Sequence, residues 1–240
     1  MLNNKIYLEG EVVSELEFSH EMYGEGFYTF YLEVPRLSDA KDMLFITVSE
    51  RLISGMGVKV GSQLVLEGQL RSYNKFADGA NRLILTVFAR NISFCEERSK
   101  NPNQIFLDGF ICKQPVYRTT PFGREISDIL LAVNRAYNKS DYIPTIAWGR
   151  NSRFCKNLQV GDNIKVWGRL QSREYQKKVS ESDVIKKIAY EVSISKMERA
   201  GSEDEESDTA SEEMILVSEE EKNDVAEDNL SEALSNKQIS

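Results

Sequence analysis

Residues 160–172 read Val-Gly-Asp-Asn-Ile-Lys-Val-Trp-Gly-Arg-Leu-Gln-Ser, and residues 60–72 read Val-Gly-Ser-Gln-Leu-Val-Leu-Glu-Gly-Gln-Leu-Arg-Ser. The two segments match at an offset of 100 residues. In both, a Val-Gly turn leads into alternating apolar and polar residues, which is the pattern of a half-buried β-strand. A repeated strand of this kind indicates that the chain contains one β domain twice.

Two more segment pairs support the repeat. Residues 4–10 (NKIYLEG) match residues 103–109 (NQIFLDG), and the alternating apolar residues of 30–36 match those of 129–135. Both pairs have an offset of 99 residues, so three matched segments follow each other in register. We therefore predict a first domain at 1–98, a second domain at 101–199 and a tail at 200–240.

The second domain predicts an all-β fold. Its β-branched and aromatic runs place five strands near residues 103–113, 125–136, 143–149, 163–176 and 187–197. A short helix at 151–158 fits between the third and fourth strands. Five strands with a helix in that place is the order of the OB-fold, a small Greek-key barrel that binds oligonucleotides. We expect two such barrels in tandem.

The charge distribution favours a polyanionic ligand for one half of the chain. The whole chain has a net charge of −8, but residues 101–200 alone carry +7. Residues 1–100 carry −3 and residues 201–240 carry −12. The acidic total therefore conceals a basic second domain, and a basic domain favours contact with nucleic acid.

The tail is predicted to be disordered. It is strongly acidic and has no aromatic residue or cysteine, so it cannot bury enough apolar surface to offset the entropy of ordering. One apolar cluster interrupts it, formed by Met214, Ile215, Leu216 and Val217. This cluster is either a chance feature of a solvated tail or a short docking element for a partner protein.

Catalysis, metals and cofactors are not expected. His20 is the only histidine, and the chain contains no Walker loop, Rossmann fingerprint or cluster of metal ligands. The three cysteines, Cys95, Cys112 and Cys155, are widely spaced and form no CxxC motif, which is typical of a reducing cytoplasm. No apolar run approaches the about 18 residues of a membrane helix, and no secretory signal is visible.

The strand at 164–177 carries the clearest binding pattern. Its even positions begin with Ile164, Val166 and Leu170, which would face the barrel interior. Its odd positions place cations and rings on the outward side: Lys165, Trp167, Arg169, Arg173, Tyr175 and Lys177. Such a surface binds single strands, because cations contact phosphates and flat rings stack on bases. The alternative is an ordinary solvated strand face.

The two domains differ in this respect. The loop after the first strand is basic and aromatic in the second domain, with Arg118, Phe122 and Arg124, whereas the first domain has four glutamates there. The first domain also has Glu67 where the second has Trp167. We expect weaker nucleic-acid binding by the first domain, through Arg36, Arg71, Tyr73 and Lys75, or a role in assembly.

These residues resemble the bacterial single-stranded DNA-binding protein family, and the second domain carries the resemblance. Five of its segments are similar to family motifs, in the family's order: Asn103–Gly109, Tyr117–Gly123, Leu131–Arg135, Ile146–Arg150 and Gly161–Tyr175. The first domain resembles the family more loosely. The tail departs from the family pattern, because it ends Leu234-Ser-Asn-Lys-Gln-Ile-Ser240 rather than in a Pro-Phe type terminus.

The resemblance implies that Trp148 and Tyr175 stack on bases, with several arginines along the strand path. For Trp148 the residues alone favour a core ring, since its counterpart in the first domain is taken to be Val48. The second-domain candidates are Arg118, Phe122, Arg124, Arg135, Trp148, Arg150, Arg153, Lys165, Trp167, Arg169, Arg173, Tyr175 and Lys177.

The predicted function is sequence-nonspecific binding of single-stranded DNA in replication, repair or recombination. Family members usually carry one OB unit and form tetramers, so two units per chain imply a homodimer that presents four. Replication or repair proteins are candidate partners of the acidic tail, and Met214–Val217 could replace the family's usual terminus. Two alternatives stay open: an assembly or adaptor protein, and a single-stranded RNA binder.

Overall fold

The computed structural model describes residues 3–77, 79–178 and 184–201, with the backbone alone at 77, 80, 81, 176–178 and 184–187. The predicted acidic tail beyond residue 201, with the docking element Met214–Val217, lies outside the described residues. The side chain of the candidate Lys177 also lies outside them.

The described chain is built from strands and two short helices, in the same order in each half. The first half contains β1 (Asn4–Val12), β2 (Glu17–Met22), β3 (Glu25–Pro35), β4 (Lys41–Ser49), α1 (Glu50–Ile53), β5 (Gln63–Ala77) and β6 (Ala80–Phe94). The second half contains β7 (Asn103–Ile111), β8 (Val116–Thr119), β9 (Glu125–Asn134), β10 (Ser140–Trp148), α2 (Gly149–Cys155), β11 (Asn163–Lys178) and β12 (Val184–Arg199).

The predicted fold class, two tandem OB barrels, is confirmed. Each half has five barrel strands with a helix between the third and fourth. The short strands β2 and β8 are additional, and each forms a hairpin with the following barrel strand. Tyr23 and Gly24 at the first hairpin and Gly123 at the second have positive φ, which lets the chain reverse tightly there. We call the two halves the first barrel and the second barrel.

The cores form from the side of each strand that the alternation predicts. In β11 the side chains of Ile164, Val166 and Leu170 are buried, and in β5 those of Leu64 and Leu66 are buried. Burying one such side chain contributes about 1.5–3 kcal/mol. The odd-numbered residues of β11 up to Tyr175 therefore lie on the outer surface of the second barrel.

A glycine lies at a bulge in the long hairpin of each barrel. The register between β11 and β12 shifts between Trp167 and Gly168, where β12 contains one extra residue. A Cβ on Gly168 would lie 2.0 Å from the carbonyl oxygen of Ser193. The first barrel repeats this at Gly68, where a Cβ would lie 2.3 Å from the oxygen of Phe88. The backbones of the paired strands come into close contact at these points, so only glycine fits.

We expect Gly168→Ala to lower the free energy of unfolding by about 1–3 kcal/mol, the usual cost of overpacking. The added methyl group meets main-chain atoms, which cannot move without disturbing the β11–β12 pairing. Gly26→Ala is the matched control, because its Cβ would meet only the flexible side chain of Glu50. Urea titrations of both variants measure their free energies of unfolding. Equal values would show that the backbone contact at Gly168 does not exclude a side chain.

The two barrels share one sheet. Strand β1 pairs antiparallel with β7, from Asn4 opposite Leu107 to Leu8 opposite Asn103. This pairing joins the halves into a twelve-stranded sheet of order β2-β3-β4-β6-β5-β1-β7-β11-β12-β10-β9-β8. The segment between the barrels is tied to the same place, because Glu9 N donates to Pro102 O at 2.7 Å.

The long hairpins reach across to the opposite barrel. On the β5–β6 hairpin, Ser72 N donates to Asp141 Oδ1 at 2.8 Å, and Tyr142 N donates to Ser72 Oγ at 2.7 Å. The β11–β12 hairpin repeats this contact, since Ser172 N donates to Asp42 Oδ1 at 2.7 Å and Met43 N to Ser172 Oγ at 2.9 Å. Each barrel is thus held by the long hairpin of the other. We call these two hairpins, β5–β6 and β11–β12, the arms.

Candidate nucleic-acid interface

Strand β11 presents cations and rings on its outer side. Trp167 and Tyr175 lie on the same side, because the extra residue of the local bulge belongs to β12 and leaves the alternation of β11 intact. Lys165, Trp167 and Arg169 are partly buried, Arg173 is exposed, and Tyr175 is 42% exposed. The structure therefore brings these candidates together on one face, which follows the strand from the barrel into the arm.

The ring of Trp167 already has neighbours. It lies against Phe106 on β7, with ring centroids 5.1 Å apart and an interplanar angle of 48°. Lys196 Nζ lies 5.2 Å from the centroid of the same ring. A base can reach only the part of the indole that these side chains leave open, so Trp167 offers less stacking area than its sequence position suggests.

Trp148 is not a core residue, and the assignment of Val48 as its counterpart is wrong. Trp148 ends β10 just before α2, as Ser49 ends β4 just before α1, so Ser49 is the counterpart. Val48 corresponds to Ala147, and both are fully buried. Trp148 is partly buried and alternates with Ala147, which directs its ring to the outer side of β10.

Trp148 belongs to a row of side chains across three strands. Ile126 on β9 pairs with Trp148 on β10 and with Arg118 on β8. Arg118 forms an ion pair with Asp128 at 2.8 Å, and this hydrogen bond raises the pKa of the guanidinium. Both partners are about half exposed, so an approaching phosphate can compete for Arg118.

The other candidate cations differ in whether they form an ion pair with a described residue. Arg150, Lys165, Arg169 and Arg173 have no ion-pair partner among the described residues. Arg169 is notable because its Nε is buried and lacks a hydrogen-bond partner in the described part of the chain. Arg153 pairs with Glu125 at 3.1 Å at the surface. Because Arg169 Nε is itself shielded, a phosphate or a base can contact only the accessible part of that side chain.

Three of the predicted arginines lie away from the outer face of β11, at the contacts between arm and barrel. Arg36 pairs with Asp42 at 2.7 Å, whereas Arg71 and Arg135 both pair with Asp141, at 3.0 and 3.4 Å. Both aspartates are fully buried at the contacts between arm and barrel. Arg71 links the two barrels, and Arg36 and Arg135 pair with the aspartates that receive the opposite hairpin, although the sequence made all three candidates for phosphate contact.

The remaining candidates are exposed aromatic and basic side chains. Phe122 is exposed in the turn between β8 and β9, and the backbone N–H of Arg124 donates to Thr120 Oγ1 in the same turn. In the first barrel, Tyr73 is 47% exposed and Lys75 is exposed on the β5–β6 arm. These positions do not lie on the outer side of β11 itself.

Sequence reasoning missed two aromatic side chains of the second barrel. Tyr142 on β10 is 46% exposed, and Tyr137 in the turn between β9 and β10 is 94% exposed. The signal for Tyr142 was its position between Asp141 and Ile143, both fully buried. Alternation across that strand places Tyr142 outward, on the side that also carries Trp148.

Two cysteines of the second barrel carry thiols with raised pKa values. Burial raises the pKa of the Cys155 thiol to about 11 and also raises that of Cys112. Such thiols stay protonated and behave as small apolar groups. No group of three or more metal-ligating side chains occurs within the described ranges. Neither described helix is long and apolar enough to span a bilayer.

The fold and this face together define a tandem OB-fold protein with a basic, ring-bearing sheet surface. Residues 102–200 match the model of the Single-strand binding protein family. The match covers the second barrel, which is therefore similar to this family.

Several known proteins are similar to it. Single-stranded DNA-binding protein 1 of Staphylococcus aureus (strain COL) is 37% identical over 81 residues, which is 31% of this chain and 48% of that protein. Single-stranded DNA-binding protein A of Bacillus subtilis (strain 168) is 35% identical over 81 residues, 31% of this chain and 47% of that protein. This chain therefore spans about half the length of these relatives.

A solved structure resembles the whole arrangement of barrels. The wild-type single-stranded DNA binding protein from Thermus aquaticus superposes with a TM-score of 0.65 at 20% identity, covering 87% of this chain and 98% of that one. At this identity the likeness shows the fold alone, and it agrees with the two-barrel arrangement.

Proposed function

We propose that the protein binds single-stranded DNA without sequence preference and acts, without catalysis, in replication, repair or recombination. The observation that carries the proposal is the outer face of the second barrel, where cations without an ion-pair partner among the described residues lie beside partly exposed rings. The Single-strand binding protein family model matches this same half of the chain, and relatives named single-stranded DNA-binding proteins support DNA over other polyanions.

The mechanism combines two contributions. Arg150, Lys165, Arg169 and Arg173 contact phosphates and release the counterions that surround the strand. Bases stack on Trp148 and on Tyr175, each stack contributing about 1–3 kcal/mol. Since every base has a flat face and every nucleotide a phosphate, neither contribution depends on sequence.

The wider organisation follows from the same reasoning. We propose that residues 1–98 and 101–199 are separate domains in one rigid frame, and that the chain forms a homodimer that presents four barrels. Residues 200–240, with a net charge close to −12, are proposed to contact replication or repair proteins, with Met214–Val217 as a docking element. We propose a cytoplasmic location, which the three free cysteines support.

Replacement of Trp148 tests the stacking role. Trp148→Ala should weaken binding to labelled oligo-dT by about 5- to 150-fold, the equivalent of one lost stack. The measurement is fluorescence anisotropy of the labelled strand, with oligo-U and duplex DNA as competitors. Tyr23→Ala is the control, because Tyr23 is a fully exposed aromatic residue in a turn of the first barrel.

Three outcomes separate the functions. Preference for oligo-dT with loss in the Trp148 variant supports the proposal. Equal or better binding of oligo-U would favour an RNA binder. Absence of binding by the parent chain at physiological salt would favour an adaptor protein.

A further inference from the structure

We propose that copies of this chain associate end to end, with strand β2 of one copy lying against strand β8 of the next. The contact is separate from DNA binding and adds to the proposed homodimer. Its occupant is a second copy of the chain, because the two strands have free edges of opposite charge.

Strands β2 and β8 lie at the two ends of the twelve-stranded sheet. In the described part of the chain, β2 pairs only with β3, and β8 pairs only with β9. All six residues of β2 are exposed, as are three of the four residues of β8. A strand with a single neighbour keeps backbone N–H and C=O groups that can pair with a further strand.

The segments that contain these strands differ in charge. Residues 14–25, around β2, contain four glutamates and no lysine or arginine. Residues 113–124, around β8, are the equivalent segment at an offset of 99, and they contain three cations and no aspartate or glutamate. We call residues 14–25 the acidic edge and residues 113–124 the basic edge.

Contacts within the chain leave most charges of the acidic edge uncompensated. Arg51 Nε lies 3.7 Å from Glu25 Oε1. The other three glutamates, Glu15, Glu17 and Glu21, form no ion pair with a described residue. These three carboxylates are therefore available to a cation of another molecule.

The basic edge keeps a positive excess in the same way. Arg118 pairs with Asp128 at 2.8 Å, whereas the exposed Lys113 forms no ion pair with a described residue. Another cation lies beside β8, because Lys156 Nζ is 3.7 Å from the centroid of the Tyr117 ring. The edge can therefore attract carboxylates.

The distribution of charge decides which edges can pair. Charged side chains on an edge strand often prevent association with an identical edge. Here two acidic edges repel each other, as do two basic edges, but an acidic edge attracts a basic one. The contact is therefore heterologous, and further copies can add at each free end.

Exposed apolar side chains supply contact area on both sides. Phe18 is 61% exposed and Met22 50% exposed on β2, and Val116 is 59% exposed on β8. An interface with an apolar centre and a charged rim is the usual arrangement between protein surfaces. The two edges therefore match in shape of backbone, in charge and in apolar content.

Analytical ultracentrifugation of the full chain without DNA tests the proposal. In about 50 mM salt, where charges are weakly screened, the average mass of the parent should rise beyond that of a homodimer as its concentration increases. Glu17→Lys with Glu21→Lys on the acidic edge should weaken this association by about tenfold or more. Lys113→Glu with Lys156→Glu at the basic edge should do the same.

A matched control and a charge exchange make the result specific. Lys100→Glu with Lys139→Glu changes the net charge as much as the basic-edge variant does, but away from both edges, and should associate as the parent does. A chain with all four edge substitutions has a basic β2 and an acidic β8. It should regain association, because the edges are again complementary.

The proposal is wrong if the mass of the parent never exceeds that of a homodimer, or if the edge variants associate as well as the parent. It is also wrong if the exchanged chain associates no better than the variants of one edge. Because the experiment contains no DNA, a failure of the parent to bind oligo-dT would overturn the proposed function alone.

Discussion

Asp141→Ala is expected to lower the free energy of unfolding by about 3–5 kcal/mol, the usual cost of removing one partner from a buried ion pair. The carboxylate is fully buried and accepts hydrogen bonds from Arg71, Arg135 and the backbone of Ser72. Its removal leaves two guanidinium groups facing each other across the gap. It also strips the Ser72 N–H of its acceptor, and an unsatisfied buried donor adds its own penalty.

Two further variants make this result specific. Asp141→Asn keeps an oxygen for Ser72 but loses the charge, so its stability should fall between those of the alanine variant and the parent. Asp128→Ala breaks an ion pair with Arg118 in which both partners are about half exposed, and should cost no more than about 1 kcal/mol. Urea titration measures all three. Equal costs for Asp141→Ala and Asp128→Ala would show that the arm contact does not stabilise the fold.

Alternation along the chain predicted the fold and the outer face of β11. Leu64, Leu66, Ile164 and Val166 occupy every second position, and strand geometry allows only one side of such a strand to be buried. The repeat then extended the fold predicted for the second barrel to the first. These properties are local to a strand or are copied at a fixed offset, which is why they can be read from residues alone.

The contacts between the barrels could not be predicted. Ser172 and Asp42 are 130 residues apart, and no local pattern pairs them. Without that contact, Arg36, Arg71 and Arg135 look like any other arginines near a binding surface. These arginines pair with Asp42 and Asp141 instead. Both aspartates are buried because the long hairpin of one barrel covers them on the other.

Trp148 shows how a small error in offset changes an interpretation. The offset between the repeats is 99 through β4 and β10 and becomes 100 only by β5 and β11. The extra residue is absorbed between these strands, where α2 is longer than α1. A constant offset of 100 pairs Trp148 with the buried Val48, whereas the strand ends pair it with Ser49, beside a helix start.

Affinity for oligo-dT is expected to fall by about a hundredfold between about 50 and 200 mM salt, because each phosphate contact releases counterions. Among the described residues, Arg150, Lys165, Arg169 and Arg173 form no ion pair that must break, and one of the surface pairs can open to supply a fifth cation. Five contacts at a slope of about −0.7 each give a total slope near −3.5 on logarithmic axes.

The slope also identifies which cations take part. Arg169→Gln and Arg173→Gln should each reduce it by about 0.7, whereas Lys59→Gln on the first barrel should leave it unchanged. Arg173 is the sharper test, because its side chain is exposed and has no ion-pair partner in the described part of the chain. A slope near zero in the parent chain would mean that the basic face does not hold a strand, and the protein would then act through protein contacts instead.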